Sequence, residues 1–103
     1  MAKLRILDEA AREVDAAAAY LEEQRAGYGR LFVGAYEQKL AQIARFPESG
    51  PPTPGAPDGY ELRSFWIRKF GYSIIVGMIG GDWTIIAVMH HSREPGYWLD
   101  RLH

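Results

Sequence analysis

The chain reads as an α+β domain of element order β-α-α-β-β-β, a helical hairpin packed on a small antiparallel sheet. Three observations lead there. Residues 8–45 hold two stretches with helical spacing of apolar residues, separated by Gly27-Tyr28-Gly29. Residues 47–59 carry five of the six prolines, a composition that forms a surface connector and no regular element. From Tyr60 onward come three β-prone runs, the last two joined by Gly80-Gly81-Asp82, a hairpin signal. With 103 residues the chain is expected to be a single domain over 1–103 that buries about 65% of the surface its unfolded form exposes.

The elements follow in order. Lys3 to Leu7 alternates, with Leu4 and Ile6 on one side and Lys3, Arg5 and Leu7 on the other, which fits a short edge strand. Asp8 stands where a helix N-cap belongs, and Glu9 adds negative charge to the first turn. A first helix is expected over Asp8–Arg25, with Ala10, Val14, Ala17 and Leu21 at helical spacing and six alanines between Ala10 and Ala19 favouring helix and close packing. A second helix is expected over Tyr28–Arg45, with Leu31, Phe32, Ala35, Tyr36, Leu40 and Ile43 on its apolar face. The short connection makes the pair an antiparallel hairpin. Gly34 is an oddity in that helix, tolerable where another backbone comes close.

After the connector, Tyr60 to Phe70 is a strand of mixed character, Gly71-Tyr72 a turn, and Tyr72 to Ile79 a strongly β-prone strand. The next run, Trp83 to Met89, is apolar at both parities except for Thr84. Such a run belongs in the middle of a sheet, covered on both faces. It ends in His90-His91-Ser92-Arg93-Glu94, then Pro95-Gly96 and the aromatics Tyr97 and Trp98. A buried strand that carries imidazole, guanidinium and phenol to its own end is a way of mounting a site.

Composition excludes several classes. Without cysteine there is no disulfide framework, no thiolate chemistry and no Cys-based zinc site. No stretch has the apolar length of a membrane span or of a signal-peptide core, so a cytoplasmic location is expected, with no membrane partner. The net charge of −1 by itself implies no nucleic-acid partner. Charge is nonetheless uneven. Between Asp8 and Glu23, Asp8, Glu9, Glu13, Asp15, Glu22 and Glu23 face only Arg12, while between Arg63 and Arg93 the basic Arg63, Arg68, Lys69 and Arg93 face only Asp82. This fits a solvated helix face as well as a binding polarity.

His90 and His91 are neighbours on a strand and therefore point to opposite faces, so they do not share one metal. With only His103 besides, no metal site and no cofactor are expected. One of the pair is either a satisfied core histidine or a site residue. Arg93 lies past the strand end, where it meets a phosphate or carboxylate or pairs with Glu94 or Asp100. Tyr97 and Trp98 are suited to cap the sheet hydrophobically, and Arg101 to reach back toward the same end. No phosphate-binding loop, dinucleotide fingerprint or nucleophile–base motif is present.

The short strand, the helical hairpin, the Phe46-Pro47…Gly50 exit and the run Ile85 to Arg101 resemble the RelE/ParE superfamily of bacterial type II toxins. The most specific part is the set His90, Arg93, Pro95, Tyr97, Trp98 and Arg101. The resemblance implies a toxin of a plasmid-stabilization type system, neutralised by a cognate antitoxin in a hetero-oligomer. RelE-like members cleave mRNA on the ribosome without metal, using basic residues of the sheet and a C-terminal tyrosine. Those basic positions fall here at Ser64, Trp66, Ser73 and His91, so a ribonuclease would have to use His91, Arg93 and Tyr97. Few cations would then remain to stabilise phosphorane charge. ParE-like members lack that basic set, have the longer hairpin, and poison DNA gyrase. The ParE-like reading is therefore favoured, as an inhibitor and not an enzyme. It implies target contacts at Arg68, Arg93, Tyr97, Trp98 and Arg101. Leu31, Phe32 and Tyr36 would either meet the antitoxin or simply pack on the sheet.

Overall fold

The structure, a computed structural model, describes residues 3–102; His103 lies outside them. Strand β1 (Arg5–Ile6) runs straight into helix α1 (Asp8–Gln24), and α2 (Tyr28–Arg45) returns antiparallel to it. Strands β2 (Leu62–Ile67), β3 (Tyr72–Ile79) and β4 (Asp82–His90) follow, with short 3-10 turns at Arg68–Phe70 and Leu99–Arg101. The sheet order is β1-β4-β3-β2. The meander β2-β3-β4 is antiparallel, whereas β1 pairs parallel with β4, Arg5 opposite Thr84 and Ile6 opposite Ile85. The sheet is thus mixed. Crossing back through two antiparallel helices brings the first strand alongside the last in the same direction.

The expected cap at Asp8 is displaced by one residue. Leu7 is the N-cap and makes no side-chain cap bond. Its N–H still belongs to the sheet, donating to the Ile85 carbonyl at 3.1 Å, while its own carbonyl accepts from Ala11 at 3.0 Å. Strand and helix share this residue, so Asp8 is pushed into the first turn, where its charge still faces the helix dipole. At the hairpin turn, the Glu22 carboxylate accepts from the N–H groups of Gly27 and Gly29 at 2.9 and 3.0 Å. These two bonds hold its pKa below the usual carboxylate value.

Two apolar layers sandwich the sheet. Phe32 and Ile43 of α2 meet Ile74, Val76, Ile85 and Val88 between helices and sheet. On the outer face Leu62, Ile75, Ile86 and Ala87 are covered by Trp98 and Leu102, with Ala56 and Tyr60 of the connector at the margin. A β-bulge makes both layers possible. Ile75 lies opposite Ala87 and Val76 opposite Ile85, so Ile86 is the extra residue in β4. Ile86 and Ala87 consequently both face outward, and Ile85 and Val88 both face the helices. A run apolar at both parities needs cover on two faces, and here it has both.

The side-chain roles expected of α2 change accordingly. Phe32 is fully buried and Tyr36 nearly so. Both belong to the layer under the helices, where Phe32 packs edge-on to Phe70 and tilted against Tyr72. Neither is available to an antitoxin in the free chain; Leu31, 51% exposed, is. Among the described residues no helix is long and apolar enough to cross a membrane.

Candidate functional site

Strand β4 has only a two-residue partner on its outer edge, and the backbone groups beyond it are met by side chains. The Val88 N–H donates to Glu13 Oε1 at 2.9 Å, and the Ile86 carbonyl accepts from Arg101 Nη1 at 3.0 Å. Arg101 also grips Glu13 in a fork, Nη1 to Oε1 at 2.9 Å and Nη2 to Oε2 at 3.1 Å. The Tyr97 hydroxyl donates to Glu13 Oε2 at 2.6 Å. One helix carboxylate therefore ties the C-terminal segment to the strand edge, an arrangement that also blunts the edge against stray pairing.

The electrostatics of this clasp fix protonation states. Burial alone would raise the Glu13 pKa, but hydrogen bonds from Arg101, Tyr97 and Val88 outweigh it and hold the carboxyl below its ordinary value. Tyr97 moves the other way. Burial, and then its bond to the Glu13 carboxylate, push the phenol well above its usual pKa. A hydroxyl already donating to a carboxylate, with its pKa raised, is a poor proton shuttle at neutral pH. Arg101 is likewise committed, its charge stabilised by Glu13.

Arg93 is exposed and pairs with neither Glu94 nor Asp100. Its guanidinium carbon lies 3.8 Å from the centroid of the Tyr97 ring, a stacked cation–π contact. The clasp thus fixes the ring on which Arg93 lies. Arg68 is also exposed and sits at the same end of the sheet, in the 3-10 turn that joins β2 to β3. Trp98 does not join them: it is only 2% exposed, because it fills the outer apolar layer. Of the five residues expected to meet a target, Arg68 and Arg93 are fully available, Tyr97 is half-buried, and Trp98 and Arg101 are held in structural contacts.

The two histidines part as strand geometry requires. His90 is half-buried on the helical side, its ring 4.9 Å from that of Tyr72 and its Nδ1 accepting from the Ser92 N–H at 3.1 Å. His91 is exposed on the outer face, its Nε2 3.0 Å from Ser73 Oγ and its ring 4.9 Å from that of Trp66. There it lines a cleft of about 580 Å³ with Ser64, Trp66, Ser73, Met89, Trp98 and a rim of prolines. Thr53 and Ser64 share a buried hydroxyl pair at 2.8 Å in its wall.

The cleft gathers the four positions Ser64, Trp66, Ser73 and His91 that correspond to a ribonuclease's basic set, yet no Lys, Arg, Asp or Glu lines it. His91 also does not converge with the stacked pair Arg93 and Tyr97. His91 lines the outer cleft, whereas Arg93 borders a hollow of about 250 Å³ on the helical side with Glu13, Tyr20 and His90, and Tyr97 lines neither. The residue that the sequence reading missed is Glu13. Its signal was present: it sits within the apolar stripe Ala10, Val14, Ala17, Leu21 and not opposite it, and an acid there needs a partner.

A family model described as the ParE toxin of the type II toxin-antitoxin system, parDE, matches residues 4–95. Among solved structures, the chain is similar to one described as the chromosomal ParDE TA system from P. aeruginosa. The TM-score is 0.72 at 15% identity, covering 87% of this chain and 96% of that one. Comparison with curated proteins by sequence finds no match.

Proposed function

Because the chain belongs to the ParE toxin family of type II toxin-antitoxin systems, within the RelE/ParE superfamily, we propose that it acts by gripping DNA gyrase. It works as a single-domain cytoplasmic protein without cutting RNA, and a cognate antitoxin neutralises it by forming a hetero-oligomer. The observation that carries this reading is the charge-free outer cleft. A phosphoryl-transfer site without metal must neutralise developing charge with positioned cations, and the cleft around His91 offers none. The commitment of the Tyr97 hydroxyl to Glu13 supports the same reading, since it removes the expected acid–base partner.

What the sheet end does offer is a held cation. Arg93 lies flat on a ring that Glu13 locks, so part of the entropy of ordering its side chain is lost before any partner arrives. An exposed guanidinium pre-set in this way suits a carboxylate or a peptide carbonyl of a target protein. Purified protein should stop gyrase from supercoiling relaxed plasmid. Arg93→Glu should weaken that inhibition tenfold or more while the melting temperature stays put. An inert wild-type protein in this assay would overturn the reading.

A further inference from the structure

Between α1 and the end of β4, on the helical side of the sheet, lies the hollow of about 250 Å³ that Arg93 borders. Its lining brings together Tyr20 of α1, Tyr72 of β3, His90 at the end of β4 and Arg93 just past it. Ala17 and Val88, both buried, supply much of its apolar part. One acid, Glu13, belongs to the same lining. The clasp uses Glu13 and the gyrase reading uses Arg93, but neither gives His90, Tyr20 or Tyr72 anything to do.

The polar groups gathered here are donors that lack an acceptor. Arg93 makes no ion pair among the described residues, although Glu13 lines the same hollow. Glu13 is already full: its two oxygens take four hydrogen bonds, from Val88, Tyr97 and Arg101, as many as a carboxylate has lone-pair sites. In His90, Nδ1 accepts from the Ser92 N–H at 3.1 Å. A backbone N–H only donates, so the proton of the neutral ring stands on Nε2. That Nε2–H has no hydrogen-bond partner among the described residues, its ring being bonded through Nδ1 alone. Burial and the neighbouring Tyr20 raise the pKa of the Tyr72 phenol, which keeps it a donor at neutral pH.

We propose that this hollow is a binding site for a carboxylate, with the Arg93 guanidinium and the His90 Nε2–H as its principal donors and the tyrosine hydroxyls at its margin. The guanidinium carbon is held 3.8 Å from the centroid of the Tyr97 ring, so the cation is in place before a ligand arrives. Its planar fork matches a carboxylate. A phosphate dianion fits less well, because a single cation is left uncancelled here and the Glu13 carboxylate stands alongside. The ligand is either a small free acid or an acidic side chain, and the hollow offers both the same donors. These are set by the clasp and by Ser92, whichever protein the chain acts on.

The test follows the amide and arginine side-chain NMR signals of the full chain as either of two acids is added at millimolar concentration. Sodium propionate is the free acid, and N-acetylglutamate α-amide stands in for an acidic side chain. Both are expected to shift the signals of Tyr20, His90 and Arg93 and to saturate, while the neutral amides propionamide and N-acetylglutamine α-amide leave them in place. Arg93→Gln should bind either acid at least tenfold more weakly; Arg93 is exposed, so the variant keeps its fold. Lys39→Gln, on α2 and outside the hollow, should bind like the wild type. A response to one acid alone supports the site and identifies its source. Silence toward both acids would overturn it. So would shifts that persist in Arg93→Gln, that the amides or sodium chloride at equal ionic strength reproduce, or that Lys39→Gln weakens as much.

Discussion

Glu13 accepts four hydrogen bonds, from Val88, Tyr97 and both terminal nitrogens of Arg101. Replacing it by Gln keeps the shape but leaves the half-buried Arg101 cation without its counter-charge. Glu13→Gln should therefore cost about 2 kcal/mol of stability, read by chemical denaturation. Tyr97→Phe should cost less, about 1 kcal/mol, because only one donor is lost and the ring under Arg93 remains. The pH dependence follows from the two shifts. The Glu13 pKa is lowered on folding, so its contribution is full above the ordinary carboxylate value of about 4.3 and fades as pH falls through the folded value. The Tyr97 pKa is raised, so its contribution is full below about 10 and fades only as pH climbs through the higher folded value. Glu13→Gln should remove the acid limb of the wild-type stability profile across that lower window. Little of this was legible beforehand. The tyrosine and arginine were singled out for a target, and the acid was counted with a solvated helix face, because the contacts join residues 84 and 88 positions apart.

At the scale of elements the hairpin and the sheet were readable, since helical spacing, the glycine break and the Gly80-Gly81 turn are all local signals. The bulge at Ile86 was not. An apolar residue at every position from Ile85 to Met89 leaves no alternation by which a one-residue shift could be noticed. Nor was the parallel pairing of β1, which depends on the path of the chain through two helices. Glycines report on packing between elements. Gly29 is the point where the helices touch: a Cβ there would stand 2.6 Å from the Ala18 carbonyl oxygen. Gly29→Ala should thus force the hairpin apart at a cost of about 1–3 kcal/mol, read as a lower melting temperature. Gly34→Ala should instead stabilise, because a Cβ there meets nothing within 4 Å and glycine costs helix stability. The contrast separates a glycine required by this fold from one that it does not need.

Two surfaces of the whole molecule stand out for their exposed cations. One is the sheet end, with Arg93 stacked on Tyr97 and Arg68 across the turn. The other is a shallow groove along α2. The uneven charge seen in the sequence persists in space. Glu9, Asp15, Glu22 and Glu23 of α1 are exposed, while the charged residues lining the groove along α2 are all cations. On the outer face of the sheet lies a neutral cleft whose imidazole has no cationic company. Under the proposed function, harm comes from binding and not from cleavage of RNA. This is tested most directly by inducing wild-type chain and His91→Ala side by side in growing cells and following growth, plasmid supercoiling and mRNA integrity together. The expected result is equal growth arrest by both, with supercoiling lost and mRNA intact. Transcripts cut by the wild type and spared by His91→Ala would contradict it.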